Sequence, residues 1–340
     1  MTNIAVIGAG GMGSVHARAC AELPDITVAW VVDQDVARAE ALAADVGGRA
    51  TGDMQAALDD AVVDAVVVAV PTPLHRPLTE RAAAHGKHVF CEKPIALNVE
   101  DARAMIGACQ QAGVRLMVGH VVRFFPEYAR IKEMLDDDAI GQVGVVRSAR
   151  LNQHPPADRA WFTRMDESGG LVVDLMIHEF DTLRWFFGDV ERVYAHGLSF
   201  TAHQAMSDHA VALLRFENGV IAHVEGSWAH ANFRTAIEIA GSEGIIDYSR
   251  EESAPLWLER SDPEVQQRGI ITRFIPANRG PYHTELHHFV DRIADGQPFL
   301  TEGEDGLRAL EIALATLDSI RTGQPVHFAA GHPTPREVAR

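Results

Sequence analysis

Two hydrophobic rhythms divide the chain. Up to about residue 122, short continuous apolar runs rich in Val and Ile stand at Ile4–Ile7, Ile26–Val32, Ala65–Val70, His88–Cys91 and Leu116–Val118. Helix-length stretches lie between them, at Gly13–Glu22, Val36–Val46, Pro77–His85 and Val99–Gln111. Strands apolar on both faces, alternating with amphipathic helices, predict an α/β unit with a doubly wound parallel sheet. From Gln142 the period becomes two. Val220, Ala222, Val224 and Trp228 fall on one face of a strand, and His223, Glu225 and Ser227 on the other. Asn218-Gly219, between Ala210–Phe216 and Val220–Trp228, predicts a hairpin with both turn residues at positive φ. Gly241-Ser242-Glu243-Gly244 predicts a second turn of the same kind.

One helix, Leu171–Phe187, interrupts these strands and ends at Gly188. Another is expected near Pro126–Leu135, and His283–Ala294 and Asp305–Arg321 close the chain before an extended tail, His332–Arg340. The second part is therefore expected to be an α+β unit with a large open, mostly antiparallel sheet. Single cores rarely grow beyond about 250–300 residues, so 340 residues fit two domains, 1–122 and 123–340, with no flexible linker between them.

Composition removes several function classes. The chain has 47 acidic and 30 basic residues and a formal net charge of −17. Such a surface repels polyanions and shows no basic stripe, which argues against a nucleic-acid or membrane partner. Its simplest consequence is solubility. Cys20, Cys91 and Cys109 are odd in number and form no C-x-x-C, so neither a disulfide framework nor a structural zinc is expected. No apolar run reaches the ~18 residues of a membrane helix. Met1, Thr2 and Asn3 alone precede the first apolar run, which leaves no room for a signal peptide. The cytoplasm is the expected location.

Residues 8–13 read Gly8-Ala9-Gly10-Gly11-Met12-Gly13, a G-x-G-x-x-G directly after a strand and opening a helix. In that context Gly8 permits a tight turn, Gly10 lets backbone approach a pyrophosphate and Gly13 allows close helix–strand packing. The helix N-terminus then offers free N–H groups to phosphates. Asp33 ends the second strand, 20 residues after Gly13, where a dinucleotide fold places an acid on the ribose hydroxyls. A carboxylate there repels a 2′-phosphate, which favours NAD over NADP. Asp33 as a mere helix cap is the competing reading, although Asp35 can fill that role. Arg38, nearby, is the one feature that suits a 2′-phosphate.

Two further stretches carry chemistry. Glu92-Lys93-Pro94 follows the strand His88–Cys91 at the carboxyl end of the sheet, where ligands gather. A lysine there lies near a cofactor, and partial burial would lower its pKa toward the acid/base range; a solvated surface lysine is the alternative. In Leu171–Asp181, Asp174, His178 and Asp181 interrupt an apolar helix at spacings of four and three, which place them on one face. A carboxylate one turn from a histidine can orient the imidazole and stabilise its cation. A buried, satisfied polar stripe is the bland alternative. H-E-x-x-H is absent and no metal is expected.

These stretches, with Pro71-Thr72-Pro73-Leu74-His75 and Gly119-His120-Val121-Val122-Arg123-Phe124, resemble the Gfo/Idh/MocA oxidoreductases over essentially the whole length, the inositol dehydrogenases among them most closely. The resemblance implies a Rossmann domain followed by a domain with a large open sheet, used for substrate binding and oligomerisation. It implies Lys93, before a cis Pro94, with Asp174 and His178 as catalytic residues. Gly8, Gly10, Gly11, Met12, Gly13, Asp33, Thr72, His75, Glu92, Lys93 and Arg123 would hold NAD. Lys93, Arg123, Asn152, His154, Trp161, Asp174, His178 and Tyr282 would meet substrate, with His283, Asp158 and Arg159 as further candidates. A homodimer or homotetramer is implied as well. The expected reaction is NAD-dependent oxidation of a secondary hydroxyl of a cyclic polyol or sugar, or the reverse reduction. Two alternatives stay open: a sugar-modifying lyase or glycosidase with transient oxidation and no net redox, and a non-catalytic NAD-binding sensor.

Overall fold

The computed structural model describes residues 1–155, 161–162, 164–199, 207–249, 256–260, 269–270, 280–329 and 332–335. Two compact units emerge: Met1–Phe124 with Ala277–Leu307, and Phe125–Pro276 with Arg308–Arg340.

The first unit contains β1 (Thr2–Ile7), α1 (Gly11–Ala21), β2 (Ile26–Val32), α2 (Val36–Val46), β3 (Arg49–Thr51), α3 (Met54–Leu58), β4 (Ala65–Val68), α4 (His75–Ala84), β5 (His88–Glu92), α5 (Val99–Ala112) and β6 (Leu116–Gly119). All six strands are parallel, in the order β3-β2-β1-β4-β5-β6. Every residue of β4 is buried, as the unbroken apolar run requires of a strand covered on both faces. The order reverses between β1 and β4, and this opens a crevice at their carboxyl ends. Only β3 and α3, three and five residues long, escaped the hydrophobic pattern.

The sequence places one border near residue 122, whereas 277–307 returns to the first unit. Helix α10 (Pro281–Asp295) buries Leu286, Phe289 and Val290 in the core that holds Ala17, Cys20 and Phe90. The following segment covers the edge of β6. The Val118 N–H donates to the Thr301 carbonyl at 3.1 Å, and Met117 bridges to Glu302. An uncovered edge strand is a liability, and here the chain supplies its own cover. Periodicity cannot reveal a partner so distant in sequence.

The second unit contains α6 (Pro126–Asp136), β7 (Val143–Gln153), α7 (Met165–Ser168), α8 (Gly170–Asp174), α9 (Ile177–Phe187), β8 (Val190–Leu198), β9 (His209–Phe216), β10 (Ile221–Ser227), β11 (Ala229–Gly241), β12 (Gly244–Ser249), β13 (Leu256–Arg260), β14 (Gly269–Ile270), β15 (Val326–Ala329) and β16 (His332–Pro335). Helix α11 (Gly303–Thr322) belongs to it from Arg308 onward. The strand order is β14-β13-β12-β11-β7-β10-β9-β8-β15-β16. Neighbours are antiparallel except β7 and β10, which run parallel and make the sheet mixed. Along β9, Ala210, Ala212, Leu214 and Phe216 are buried, while the residues between them are not. In β10 the expected outer residues His223 and Glu225 keep surface, but Ser227 is buried and accepts the Ala229 N–H at 3.0 Å.

Two local expectations are corrected. The β9–β10 turn has three residues, and of Asn218 and Gly219 only Gly219 has a positive φ, +93°. Gly219 N–H donates to Phe216 O, and Phe216 N–H to Val220 O, both at 2.9 Å. This is the longer hairpin turn, in which one left-handed residue suffices. The expected single helix Leu171–Phe187 is two helices, broken at Leu175-Met176. Both of those amides donate to the Leu171 carbonyl, at 2.9 and 3.1 Å, and the turn widens there.

Candidate active site

The cofactor half lies at the carboxyl ends of β1, β2, β4 and β5. Gly8 has a φ of +102°, a conformation glycine reaches without penalty. A side chain there would strike the Ala69 carbonyl, and one at Gly13 would strike the Gly8 carbonyl. Gly10 differs: no protein atom lies within 4 Å of where its Cβ would stand. The turn is thus jammed against the sheet at two glycines and open at the third, the arrangement a pyrophosphate needs. No side chain caps α1 at Gly10, so the first-turn amides around exposed Gly11 and half-buried Met12 stay available to an anion.

Asp33 fixes this loop. Its Oδ2 accepts the Ala9 N–H at 2.7 Å and its Oδ1 the Asp35 N–H at 2.9 Å. Each carboxylate oxygen keeps a second lone pair for a hydroxyl donor. Asp35 is the residue that caps α2, and it holds Arg38 at 3.1 Å. Capping and the arginine are both accounted for without Asp33, and the residues present fit NAD.

Beyond β4, buried Thr72 opens a short 3₁₀ turn that leads into His75. The His75 ring spans two carbonyls, Nδ1 facing Pro94 O and Nε2 facing Val70 O, each at 2.9 Å. A neutral ring donates to one of them; only the cation donates to both. Burial pulls its pKa down, while the two carbonyls and the charge of Glu92 pull it up; burial prevails. His75 thereby ties the loop after β4 to the loop after β5.

Lys93 is half-buried directly after β5, and the Lys93–Pro94 peptide is cis. Buried Glu92 accepts the Lys93 backbone N–H on Oε2 at 3.0 Å and a hydrogen bond from His16 on Oε1 at 2.6 Å. Burial pushes the Glu92 carboxyl up. The His16 hydrogen bond, the charges of His16 and Lys93 and the Lys93 amide outweigh it and hold the carboxyl below the ordinary glutamate value. Nothing in the hydrophobic pattern singles out His16; its position at the sixth residue of α1 is an ordinary core position.

In the second unit, the stretch Gly170–Leu183 is buried except for Asp174 and His178, which both keep part of their surface. Asp181 does not join them; it is only 1% exposed. The break at Leu175-Met176 falls between Asp174 and His178, so the spacings of four and three no longer set all three on one helical face. Glu179 is buried too, its carboxylate held by Arg150 Nε at 2.7 and 2.9 Å. This pair pins the first turn of α9, which carries His178, to β7.

The remaining candidates are each held by local contacts. Arg123 is buried, and its guanidinium is engaged by the Leu300 carbonyl at 2.7 Å and Asp305 at 3.2 Å. Through these contacts it anchors 277–307 within the first unit. Tyr282 opens α10 and sets its ring against His16, 5.8 Å between centroids. His283 pairs with Glu22 at 2.7 Å. Asn152, on β7, accepts the Gln153 amide, and the His154 ring meets Trp228 at 6.0 Å. Trp161 stacks on Phe162 at 3.8 Å. Asp158 and Arg159 lie outside the described residues. Among the described residues, no group of three or more His, Cys, Asp or Glu is arranged to hold a metal ion.

Comparison with known proteins agrees with this anatomy. Residues 2–120 match the family model described as "Oxidoreductase family, NAD-binding Rossmann fold", and 128–247 match the "GFO/IDH/MocA C-terminal domain". The chain is 32% identical to the myo-inositol 2-dehydrogenase of Thermotoga maritima, over 95% of this chain and 97% of that one. It is 31% identical to the inositol 2-dehydrogenase of Rhizobium meliloti, over 95% and 98%. The solved structure of levoglucosan dehydrogenase in complex with NADH superposes with a TM-score of 0.88 at 25% identity, over 96% of this chain and 98% of that one. With a glycine turn open only where a pyrophosphate must approach, an acid at the end of β2 and both family domains in sequence, the chain belongs to the Gfo/Idh/MocA family and is an NAD-dependent oxidoreductase acting on CH–OH groups.

Proposed function

We propose that the protein oxidises a secondary ring hydroxyl of a cyclic polyol or sugar to a ketone with NAD⁺, or performs the reverse reduction. One observation carries the chemical part of the reading: in the fourteen-residue stretch Gly170–Leu183, Asp174 and His178 alone are only partly buried. The relatives named as inositol dehydrogenases support the substrate class. NAD, when bound, supplies the electron acceptor at its nicotinamide ring. His178 takes the proton of the substrate hydroxyl as general base. Asp174, four residues earlier, orients the imidazole and offsets its positive charge. Lys93 donates a hydrogen bond to the same oxygen and stabilises the negative charge that develops on it. Asn152, His154 and Trp161 are proposed to contribute to substrate recognition.

Three buried free cysteines fit a reducing, cytoplasmic setting. Burial pushes the thiols of Cys20 and Cys109 up to about 12, which leaves neither as a reactive thiolate. No helix among the described residues is long and apolar enough to cross a membrane. A homodimer or homotetramer is part of the proposal. Exposed Val145, Leu213, Ile221 and Ile245 share one face of the ten-stranded sheet by strand register, a surface suited to a second copy.

The test is a panel of inositols, hexoses and deoxysugars with NAD⁺ or NADP⁺, followed at 340 nm. Steady absorbance growth with a cyclic polyol and NAD⁺ is expected, with NADP⁺ much the poorer. Bond cleavage without net absorbance growth would replace oxidation with transient redox, and no turnover of any panel member would remove the substrate class.

A further inference from the structure

His16 stands in α1, the helix whose first residues form the phosphate cradle, and none of its surface is exposed. Its ring meets Phe90 and Tyr282 edge-on, with centroids 5.0 and 5.8 Å away. A leucine or phenylalanine would fill this apolar place. An imidazole brings a burden instead, since Nδ1 is buried and has no hydrogen-bond partner among the described residues. The gain lies at Nε2, which donates to Glu92 Oε1 at 2.6 Å. The other oxygen of that carboxylate holds the Lys93 backbone N–H at 3.0 Å. On the far side of Lys93, His75 Nδ1 faces the Pro94 carbonyl at 2.9 Å. Lys93 is thus bracketed by two buried imidazoles, neither of which belongs to its own strand.

We propose that His16 is a positioning residue: through Glu92 it fixes the peptide of Lys93, so that one helix both presents the cofactor cradle and aims the amine. Without the Nε2 donor, Glu92 keeps a single partner in a buried site, its carboxylate is free to turn, and the Lys93 peptide loses its clamp. A lysine displaced by about 1 Å costs on the order of 10²-fold in rate, even when binding survives. The proposal rests on Lys93 acting on the substrate, as in the function proposed above.

The test is a double-mutant cycle, with the panel member that the wild type turns over fastest and saturating NAD⁺. His16→Leu fills the space without a donor. It should lower kcat about 10- to 100-fold, while the Kd for NADH and the substrate KM stay within about threefold. In the Lys93→Ala background the same substitution should change kcat by less than about twofold, because its effect passes through the missing amine. His16→Gln, whose amide can donate to Glu92, should recover most of the loss. Equal losses in both backgrounds, or unchanged kcat in His16→Leu, would overturn the positioning role and leave the reading of Lys93 standing. Wild-type kcat in Lys93→Ala alone would overturn that reading, and the proposal with it. Should His16→Leu not yield folded protein, His16→Met carries the same cycle.

Discussion

The two sheets treat their strands in opposite ways. In the six-stranded sheet, β4 is buried at every position, and the polar groups gather past the strand ends. In the ten-stranded sheet, β9 buries every second residue and leaves the others on an open face. A strand covered on both sides has no room for a polar side chain, so its chemistry is confined to the turns that follow it. That is where Gly8–Gly13, Asp33, Thr72–His75 and Lys93 lie, with Glu92 the last residue of β5. A half-buried strand places few such limits on its outer face, and recognition there depends on positions that pattern alone does not mark.

The largest expected effect concerns the groups that the two regions contribute separately. Lys93→Ala and His178→Ala should each lower kcat by roughly 10²–10⁴, the range of an acid/base group, while NAD binding, followed by fluorescence titration, persists. Normal turnover in both would break the contrast between a cofactor region and a chemical region. Next comes the buried ion pair behind His178. Glu179→Ala leaves Arg150 as an unpaired buried cation and should cost about 3–5 kcal/mol in a urea titration. A loss under about 1 kcal/mol would show that the pair does not pin α9.

The glycine turn sharpens the comparison within the first region. Gly13→Ala drives a methyl group into the Gly8 carbonyl and should destabilise by about 1–3 kcal/mol or more. Gly10→Ala meets no protein atom, so the melting temperature should hold while NAD affinity falls. If both variants melt alike and bind alike, the open space at Gly10 has no role. A smaller pair contrasts the sheets themselves. Val67→Ala, buried on both sides, should cost about 2–3 kcal/mol. Leu213→Ser on the open face should stay within about 0.5 kcal/mol for an isolated chain. A larger loss, accompanied by a drop in native mass, would identify the covered face of an oligomer.

The smallest effect is a pH dependence. Because the folded state holds Glu92 below its ordinary value, the carboxylate's contribution is complete above the glutamate range and is lost as pH falls through and below it. The melting-temperature difference between wild type and Glu92→Gln should therefore shrink from pH 6 toward pH 3. A difference constant over that range would contradict the sign.

The first region was largely legible in the sequence. Buried parallel strands must be apolar runs, a tight βα turn must use glycine, and Asp33 follows at the spacing of a dinucleotide fold. Three parts were not legible. The return of 277–307 depends on contacts such as Val118 with Thr301, which no local period encodes. The break at Leu175-Met176 has no glycine or proline to mark it, so spacing alone carries Asp174, His178 and Asp181 onto one face of a single helix. His16 sits at a core spacing on α1, and only its distance to Glu92 distinguishes it from packing.

The decisive experiment follows one atom. A cyclic polyol deuterated at the carbinol carbon is oxidised in ordinary water with NAD⁺, and the reduced coenzyme is examined by NMR. Deuterium at C4 of the nicotinamide, in amounts equal to the ketone formed, is the expected result. Ketone formed with protium at C4, or with the label released to water, would show that this chain does not transfer hydrogen directly from the ring carbon to its coenzyme.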